Sequence, residues 1–325
     1  MNFREIGISI LQKKEVSVTL ILLATISTFY SIQPKFLSPL NVEVLLKITP
    51  ELGIVALGVT MLMIGGEFDL SVGSVFGFAP LVMSVMLQGG MNTWLAFAIV
   101  MIICLTIGAT QGFITVKTGI PSFITTLGGM LIWRGLALVI TGGHPMYFTP
   151  SKDFVMILTG KLCPFIYSQL IIFLAILIIL QFILERHKFG NWVYAVGGRR
   201  EAAEAMGVNA GRVKIVLFML CSLLAGLGGI IQSTRMSQAM PNQGSGLEFD
   251  AIAAAVIGGT SLFGGVGMLI GTMLGEFLTR VIENGLIIIR APSYYFRLYI
   301  GIVIILAVIG NLYIQRRAVK LRVKK

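Results

Sequence analysis

Long apolar runs parted by short polar breaks set the pattern of this chain. Runs near 16–33, 48–66, 70–88, 93–116, 122–141 and 166–184 each approach the ~20 residues with which a helix crosses a hydrocarbon core. A polar interval from Glu185 to Lys214 interrupts the series, and runs near 213–233, 249–262, 264–285 and 296–315 follow it. The pattern predicts an all-α polytopic membrane protein of about ten transmembrane helices, the 249–262 segment being short and broken by glycine. Residues 1–325 are taken as one transmembrane domain. The first run is followed by Gln33-Pro34-Lys35 and not by a small-residue cleavage site, so it reads as a retained span.

The interval 185–214 is the longest internal stretch that cannot sit in a membrane. At its centre, Arg199-Arg200-Glu201-Ala202-Ala203-Glu204-Ala205-Met206-Gly207 reads as a short helix. Acids near its start suit the positive end of the helix dipole, the alanines favour helix, and Gly207 can end it. Ala202, Ala205 and Met206, spaced i, i+3 and i+4, share one small apolar face. Two readings follow: a foot that docks into a groove on a soluble partner, or a connecting helix lying on the bilayer.

Composition fits a membrane chain, with 56% hydrophobic and 12% charged residues. The net charge of +11 would suggest nucleic acid on a soluble surface, but its placement points elsewhere. Of 25 basic residues, 15 fall in three clusters: Arg4, Lys13 and Lys14; Arg186, Lys188, Arg199, Arg200, Arg212 and Lys214; and Arg316, Arg317, Lys320, Arg322, Lys324 and Lys325. The positive-inside rule places all three in the cytoplasm, which requires even numbers of crossings between them; six and four satisfy this. Both termini, including the tail 316–325, are then cytoplasmic, Lys117 lies in a cytoplasmic turn, and the 142–165 connection is outside. That connection reads as a linker with one short surface helix or as a contact for a delivery protein.

Two glycine-rich interruptions divide the apolar pattern. Gly65-Gly66-Glu67-Phe68-Asp69-Leu70-Ser71-Val72-Gly73-Ser74 is the first and Gly258-Gly259-Thr260-Ser261-Leu262-Phe263-Gly264-Gly265-Val266-Gly267 the second. Non-helical backbone at membrane depth must be buried in protein or line a cavity, and glycine-broken segments in both halves point to a transport pathway. Glu67, Asp69, Ser71, Ser74, Thr260 and Ser261 are therefore candidate pathway or gate residues, the alternative being tight inter-helix turns at the membrane surface. Glu248 and Asp250 close an outward-side polar segment, Gln232–Arg235 and Asn242–Asp250, and read either as helix-start caps or as an outer mouth. Gly267, Gly271 and Gly275, four residues apart, predict close helix packing, with Gly73 and Gly77 a second such pair; Glu276, Arg280 and Glu283 predict pairing along one helix face.

Several chemistries are missing from the sequence. The only Gly-Lys pair, Gly160-Lys161, is followed by Leu162, so no phosphate loop occurs, and Gly265-Val266-Gly267 misses the dinucleotide spacing. His144 and His187 form no catalytic dyad, the cysteines Cys104, Cys163 and Cys221 have no metal or redox spacing, and no cluster of intramembrane carboxylates and histidines is evident.

With those residues in view, the chain resembles the permease subunits of bacterial ATP-binding-cassette importers for simple sugars, the ribose-type branch. The matching blocks are Asp69–Ser74; Gly197-Gly198 with Glu201-Ala202-Ala203 and Gly207-Val208-Asn209; Leu247–Ala254; Gly258–Gly267; and Ser293-Tyr294-Tyr295. The resemblance implies a transport subunit of the bacterial inner membrane with no catalytic, cofactor or metal residues of its own. It further implies a separate ATPase chain that binds ATP and magnesium, a periplasmic or lipid-anchored sugar-binding protein, and a second permease copy or paralogue. Gly197–Gly211 would correspond to the coupling segment, with Arg200, Glu201, Ala202, Ala203, Glu204, Ala205, Met206 and Gly207 at the ATPase. The chain departs from the family pattern in the acid Glu67 beside Asp69 and in the basic pair Arg199-Arg200. Pentoses, hexoses, furanoses and autoinducer-2 all remain open as solutes. The rivals are a permease for another small polar solute, such as a nucleoside or branched-chain amino acid, an ion-coupled secondary carrier, and a membrane scaffold.

Overall fold

The computed structural model describes residues 14–292, 294–306 and 309. The terminal basic residues Arg4, Lys13 and Arg316 to Lys325, the end of the 296–315 run, and Ser293 lie outside the described residues. The elements in order are α1 (Lys14–Ile32), a 3-10 turn (Pro34–Leu37), α2 (Pro39–Ile64), α3 (Val72–Gln88), α4 (Thr93–Thr118), α5 (Ser122–Thr141), β1 (Met146–Tyr147), α6 (Lys152–Thr159), β2 (Lys161–Cys163), β3 (Ile166–Tyr167) and α7 (Ser168–Arg186). They continue with α8 (Lys188–Gly198), α9 (Arg200–Ala205), α10 (Ala210–Met236), β4 (Gln238–Ala239), α11 (Leu247–Ile257), α12 (Leu269–Ile288) and α13 (Tyr294–Leu306). Five of these, α2, α4, α5, α7 and α10, are long and apolar enough to cross a membrane by length and composition, and α1, α3 and α13 are shorter apolar helices. The chain is an all-α polytopic membrane protein.

Helix α10 is the central post, packed along α4, α2 and α3. Small residues let it approach them: a side chain on Gly226 would strike the Cys104 thiol, and one on Gly229 would overlap the Phe76 carbonyl of α3. Cys104 and Cys221 are buried within this packing. Helix α12 packs on α11 with the predicted glycine repeat, Gly271 and Gly275 lying against the carbonyls of Gly258 and Ala254.

Two boundaries differ from the sequence reading. Helix α2 begins nine residues earlier than the apolar run, because Ser38 caps it, accepting from the Asn41 N–H at 3.4 Å, and Pro39 suits its first turn. Of the polar residues this adds, Glu43 is held by the 142–167 connection, accepting from Lys161 Nζ at 2.6 Å and from the Tyr167 hydroxyl, and Asn41 pairs with Asn284 of α12 at 2.9 Å. The second correction is the 249–262 span: α11 has 11 residues, about 16 Å at 1.5 Å per residue, roughly half a hydrocarbon core. The remaining depth is covered by turns between Ser237 and Gly246, folded back against α3.

The connection 142–165 carries α6 as the one short surface helix expected; the pair β1–β4 ties it to the segment after α10, and β2–β3 closes a local hairpin before α7. It lies at the end of the bundle opposite α8 and α9.

Candidate transport pathway and coupling site

Helix α9 stands clear of the bundle. Ala203 alone is buried, whereas Glu201, Ala202, Glu204 and Ala205 are exposed and Met206 is 72% exposed. The face formed by Ala202, Ala205 and Met206 is thus open to a partner. An i, i+4 pair, Arg200 Nε to Glu204 Oε1 at 2.9 Å, braces the helix on its outer side. Gly207, at φ +84°, ends it as the sequence suggested, its N–H bonded to the Glu204 carbonyl at 2.9 Å.

Helix α8, directly before α9, was not anticipated. Its three glycines and aromatic residues obscure an amphipathic pattern in which Gly190, Val193 and Val196 are buried while Trp192 remains exposed. Its C-terminal glycines build the junction of this end. A side chain on Gly197 would overlap the Ile64 carbonyl oxygen, and one on Gly264 would press on the Gly197 carbonyl and the Gly66 Cα. Gly66 and Gly264 hold φ of +81° and +78°, a region that admits glycine readily. The Gly265 N–H bonds the Ile64 carbonyl at 2.8 Å, and the Tyr194 hydroxyl donates to the Gly267 carbonyl at 2.9 Å. Both glycine-broken segments and the helix feeding α9 therefore meet backbone to backbone.

The six candidate pathway residues divide between two places. Glu67, Thr260 and Ser261 flank the junction. Glu67 is paired with Lys214 in the first turns of α10, which accounts for the second acid beside Asp69. Ser261 Oγ accepts from the Phe263 N–H at 3.1 Å and closes the turn, while the Thr260 hydroxyl is buried without a partner among the described residues. Asp69, Ser71 and Ser74 instead climb into the bundle. Asp69 Oδ1 accepts from the Ser71 N–H at 2.8 Å and the Ser71 hydroxyl at 2.6 Å, and Gln111 Nε2 donates to Ser71 Oγ at 2.8 Å. Ser74 donates to the Met130 carbonyl at 2.8 Å. Gln111 lies seven residues before the end of α4, so α3 begins about 10 Å inside the bundle, and the non-helical backbone is largely buried in protein from Glu67 to Ser71, with Gly66 exposed.

The N-termini of the short helices α3 and α11 meet at that depth. Gly73 lies against the Gly244 carbonyl and the Glu248 carboxylate, and Gly77 against the Gln243 carbonyl. Arg134 of α5, unremarked in the sequence, clamps the folded-back segment: its Nη1 donates to the carbonyls of Pro241 at 2.7 Å and Gln243 at 2.8 Å, and its Nη2 to Gly73 at 3.1 Å. An arginine alone in an apolar run was the signal that could have revealed it. Glu248 is buried beside this clamp, while Asp250, half-buried in the same first turn, lines a cavity of about 430 Å³ with Glu283, Tyr294 and Arg297.

Charge inside the bundle is also more concentrated than the sequence reading allowed. Glu51 of α2 pairs with Arg235 of α10 and accepts from Gln232 at 3.0 Å, and Arg280 bridges Glu276 at 3.0 Å and Glu283 at 2.5 Å. The 276–283 pairing was legible from helical spacing; the Glu51–Arg235 contact, 184 residues apart, was not.

The family described as "Branched-chain amino acid transport system / permease component" matches residues 41–308. The chain belongs to that permease family. Among curated relatives, the ribose import permease protein of Escherichia coli (strain K12) is 35% identical over 307 residues, covering 92% of this chain and 93% of that protein. The ribose import permease protein of Bacillus subtilis (strain 168) is 35% identical over 279 residues, 86% of each chain. The xylose/arabinose import permease protein of Sulfolobus acidocaldarius is 32% identical over 302 residues, 90% of this chain and 83% of that protein. No solved structure matches the permease at a significant level.

Proposed function

We propose that this permease is the transmembrane subunit of an ATP-binding-cassette importer that carries a monosaccharide into the cytoplasm of a bacterium across its inner membrane. The substrate class rests on the names of its relatives, which are ribose and xylose/arabinose import permeases aligned over most of both chains. The coupling rests on one observation: Gly197 joins the exposed helix α9 to Ile64 and Gly264, the roots of both broken segments.

In this reading the α9 end, with Arg186, Lys188, Arg199, Arg200, Arg212 and Lys214, faces the cytoplasm. A separate ATPase subunit, which holds ATP and magnesium, receives Ala202, Ala205 and Met206 in a groove. A sugar-binding protein delivers its load at the opposite end, and a second copy or paralogue of the permease completes the translocation path. ATP favours one geometry of the ATPase pair, and the backbone junction carries that preference to the segments leading into α3 and α12; alternating access follows from the difference in binding between states.

The test is uptake of labelled pentoses and hexoses into proteoliposomes, with and without the co-encoded ATPase, the binding protein and ATP. Uptake that requires all components supports the reading. Uptake by the chain alone under an ion gradient makes it a secondary carrier, and uptake of a branched-chain amino acid or nucleoside in place of sugar replaces the substrate class. Replacing Glu204 and Gly207 by leucine is expected to leave the protein in the membrane and abolish uptake.

A further inference from the structure

A cavity of about 430 Å³ lies between α11, α12 and α13, a volume within the range of about 300–1,000 Å³ usual for small-molecule sites. Its wall carries Asp250, Glu283 and Arg297 beside the ring of Tyr294, with Leu286, Ile287 and Phe296 completing it. A second, smaller cavity of about 160 Å³, lined by Glu51, Gln232, Arg235 and Asn284, shares Glu283 and Ile287 with the first. Polar groups thus run continuously from the ends of α12 and α13 into the bundle.

The donors and acceptors in the larger cavity are only partly used. Asp250 Oδ1 is buried and has no partner among the described residues. Glu283 spends Oε2 on Arg280 at 2.5 Å, and Arg297 spends Nη2 on the Ser245 carbonyl at 3.0 Å. One carboxylate oxygen, a further carboxylate and a guanidinium fork therefore look onto one space, their charges largely balanced by Arg280 and by each other. Such a set suits a neutral ligand with several hydroxyls, which donate to the acids and accept from the arginine, better than a ligand carrying its own net charge. The Tyr294 ring, 66% exposed, offers an apolar face to the C–H side of such a molecule.

The cavity is also wired to the junction. Asp250 stands in the first turn of α11, whose other end runs directly into Gly258–Gly267. A ligand held by Asp250 and a displacement of α9 thus act on opposite ends of one 11-residue helix.

We propose that this cavity is a monosaccharide-binding station within the permease, in which Asp250 and Glu283 accept from sugar hydroxyls, Arg297 donates to them and Tyr294 covers the ring. The proposal rests on the sugar-import reading above.

The experiment uses the complete importer in nanodiscs, with Ile287→Cys as a probe in a Cys163→Ser background, because Cys163 is the exposed cysteine and the other two are buried. A small charged thiol reagent is applied with D-ribose, D-xylose, D-glucose or D-galactose, and with mannitol as control. The station predicts that each imported sugar slows labelling at least about threefold in the permease–ATPase complex without binding protein, and mannitol does not. Asp250→Asn is expected to raise the half-protecting concentration about tenfold or more, as loss of one charge-assisted hydrogen bond requires. Tyr294→Ala, at an exposed position, provides the same shift should Asp250→Asn not insert. Import of a sugar without protection at Ile287→Cys overturns the station and leaves the import reading standing. Absence of import of any sugar by the unmodified complex overturns both.

Discussion

The backbone N–H of Gly265 donates to the carbonyl of Ile64 at 2.8 Å, although the two residues belong to opposite halves of the chain. This contact brings the end of α2 and the loop before α12 together, and Gly197 packs against the same carbonyl. No side chain mediates the link. A shift of α8 therefore moves two backbones at once, which suits the transmission of a rigid-body push.

Gly197→Ala is the sharpest test of that link. The added methyl overlaps the Ile64 carbonyl, so the junction must open, at a cost of about 1–3 kcal/mol for an overpacked site. The protein is expected to insert and to bind its ATPase while uptake falls at least tenfold; measuring uptake and ATP hydrolysis on one preparation separates uncoupling from unfolding. Unchanged uptake would remove the junction from the mechanism.

Met206→Asp should act differently. Met206 is 72% exposed and touches little of its own chain, so its loss leaves thermal stability within about 0.5 kcal/mol of the parent. Co-purification of the ATPase is expected to drop sharply. Retained assembly would place the docking face elsewhere.

Glu51 and Arg235 form a buried ion pair, and removing one partner strands the other. Glu51→Gln and Arg235→Met are each expected to destabilise by about 3–5 kcal/mol, and the double variant by clearly less than their sum. Thermal unfolding in one detergent measures this cycle; additive losses would mean that the two charges do not interact.

Arg134→Ala leaves the carbonyls of Pro241, Gln243 and Gly73 without their donor. A loss of at least about 2 kcal/mol is expected, since a single hydrogen bond from a charged group contributes about 1.5–3 kcal/mol. Hydrogen exchange across 237–246 should rise selectively, whereas uniform protection would show that the folded-back segment holds without the clamp.

At the opposite end, the Ser151 hydroxyl and the Trp94 indole, donating at 2.7 Å, hold the Asp153 carboxyl below the usual carboxylate range. A lowered folded-state value contributes above the unfolded value and is lost as pH falls through the folded one. Docking of α6 on α4 is therefore expected to be complete at neutral pH and to loosen only in acid below about pH 4, the ordinary carboxylate range. Trp94 fluorescence in a Trp133→Phe, Trp192→Phe background reads this, and Asp153→Asn should abolish the acid transition.

Much of the architecture is legible in the sequence, because a membrane helix must satisfy its own backbone and so announces itself as a long apolar run. The runs matched helices to within a few residues wherever caps were local, as at Asn92, whose side chain accepts from the N–H groups of Trp94 and Leu95. The helix at Arg200–Ala205, its glycine stop and the Glu276–Arg280–Glu283 pairing were likewise local matters of helical spacing. The sequence is less legible at α8, where glycines needed for tertiary contact mask an amphipathic helix, and at the end of α11, where the helix stops at Ile257 before Gly258-Gly259-Thr260-Ser261, five residues short of the expected span.

What the sequence determined by itself was therefore the class of protein, its helices and the two places where glycine breaks them, since these follow from hydropathy and from contacts within a turn or two. Only the tertiary structure decided that both breaks meet Gly197 at one junction, that Arg134 holds a folded-back segment against α3, and that Asp250, Glu283 and Arg297 share a cavity. The physical reason is distance along the chain: backbone contacts and charge pairs between residues tens to more than a hundred positions apart leave no period in the sequence, because packing alone chooses which glycine meets which carbonyl.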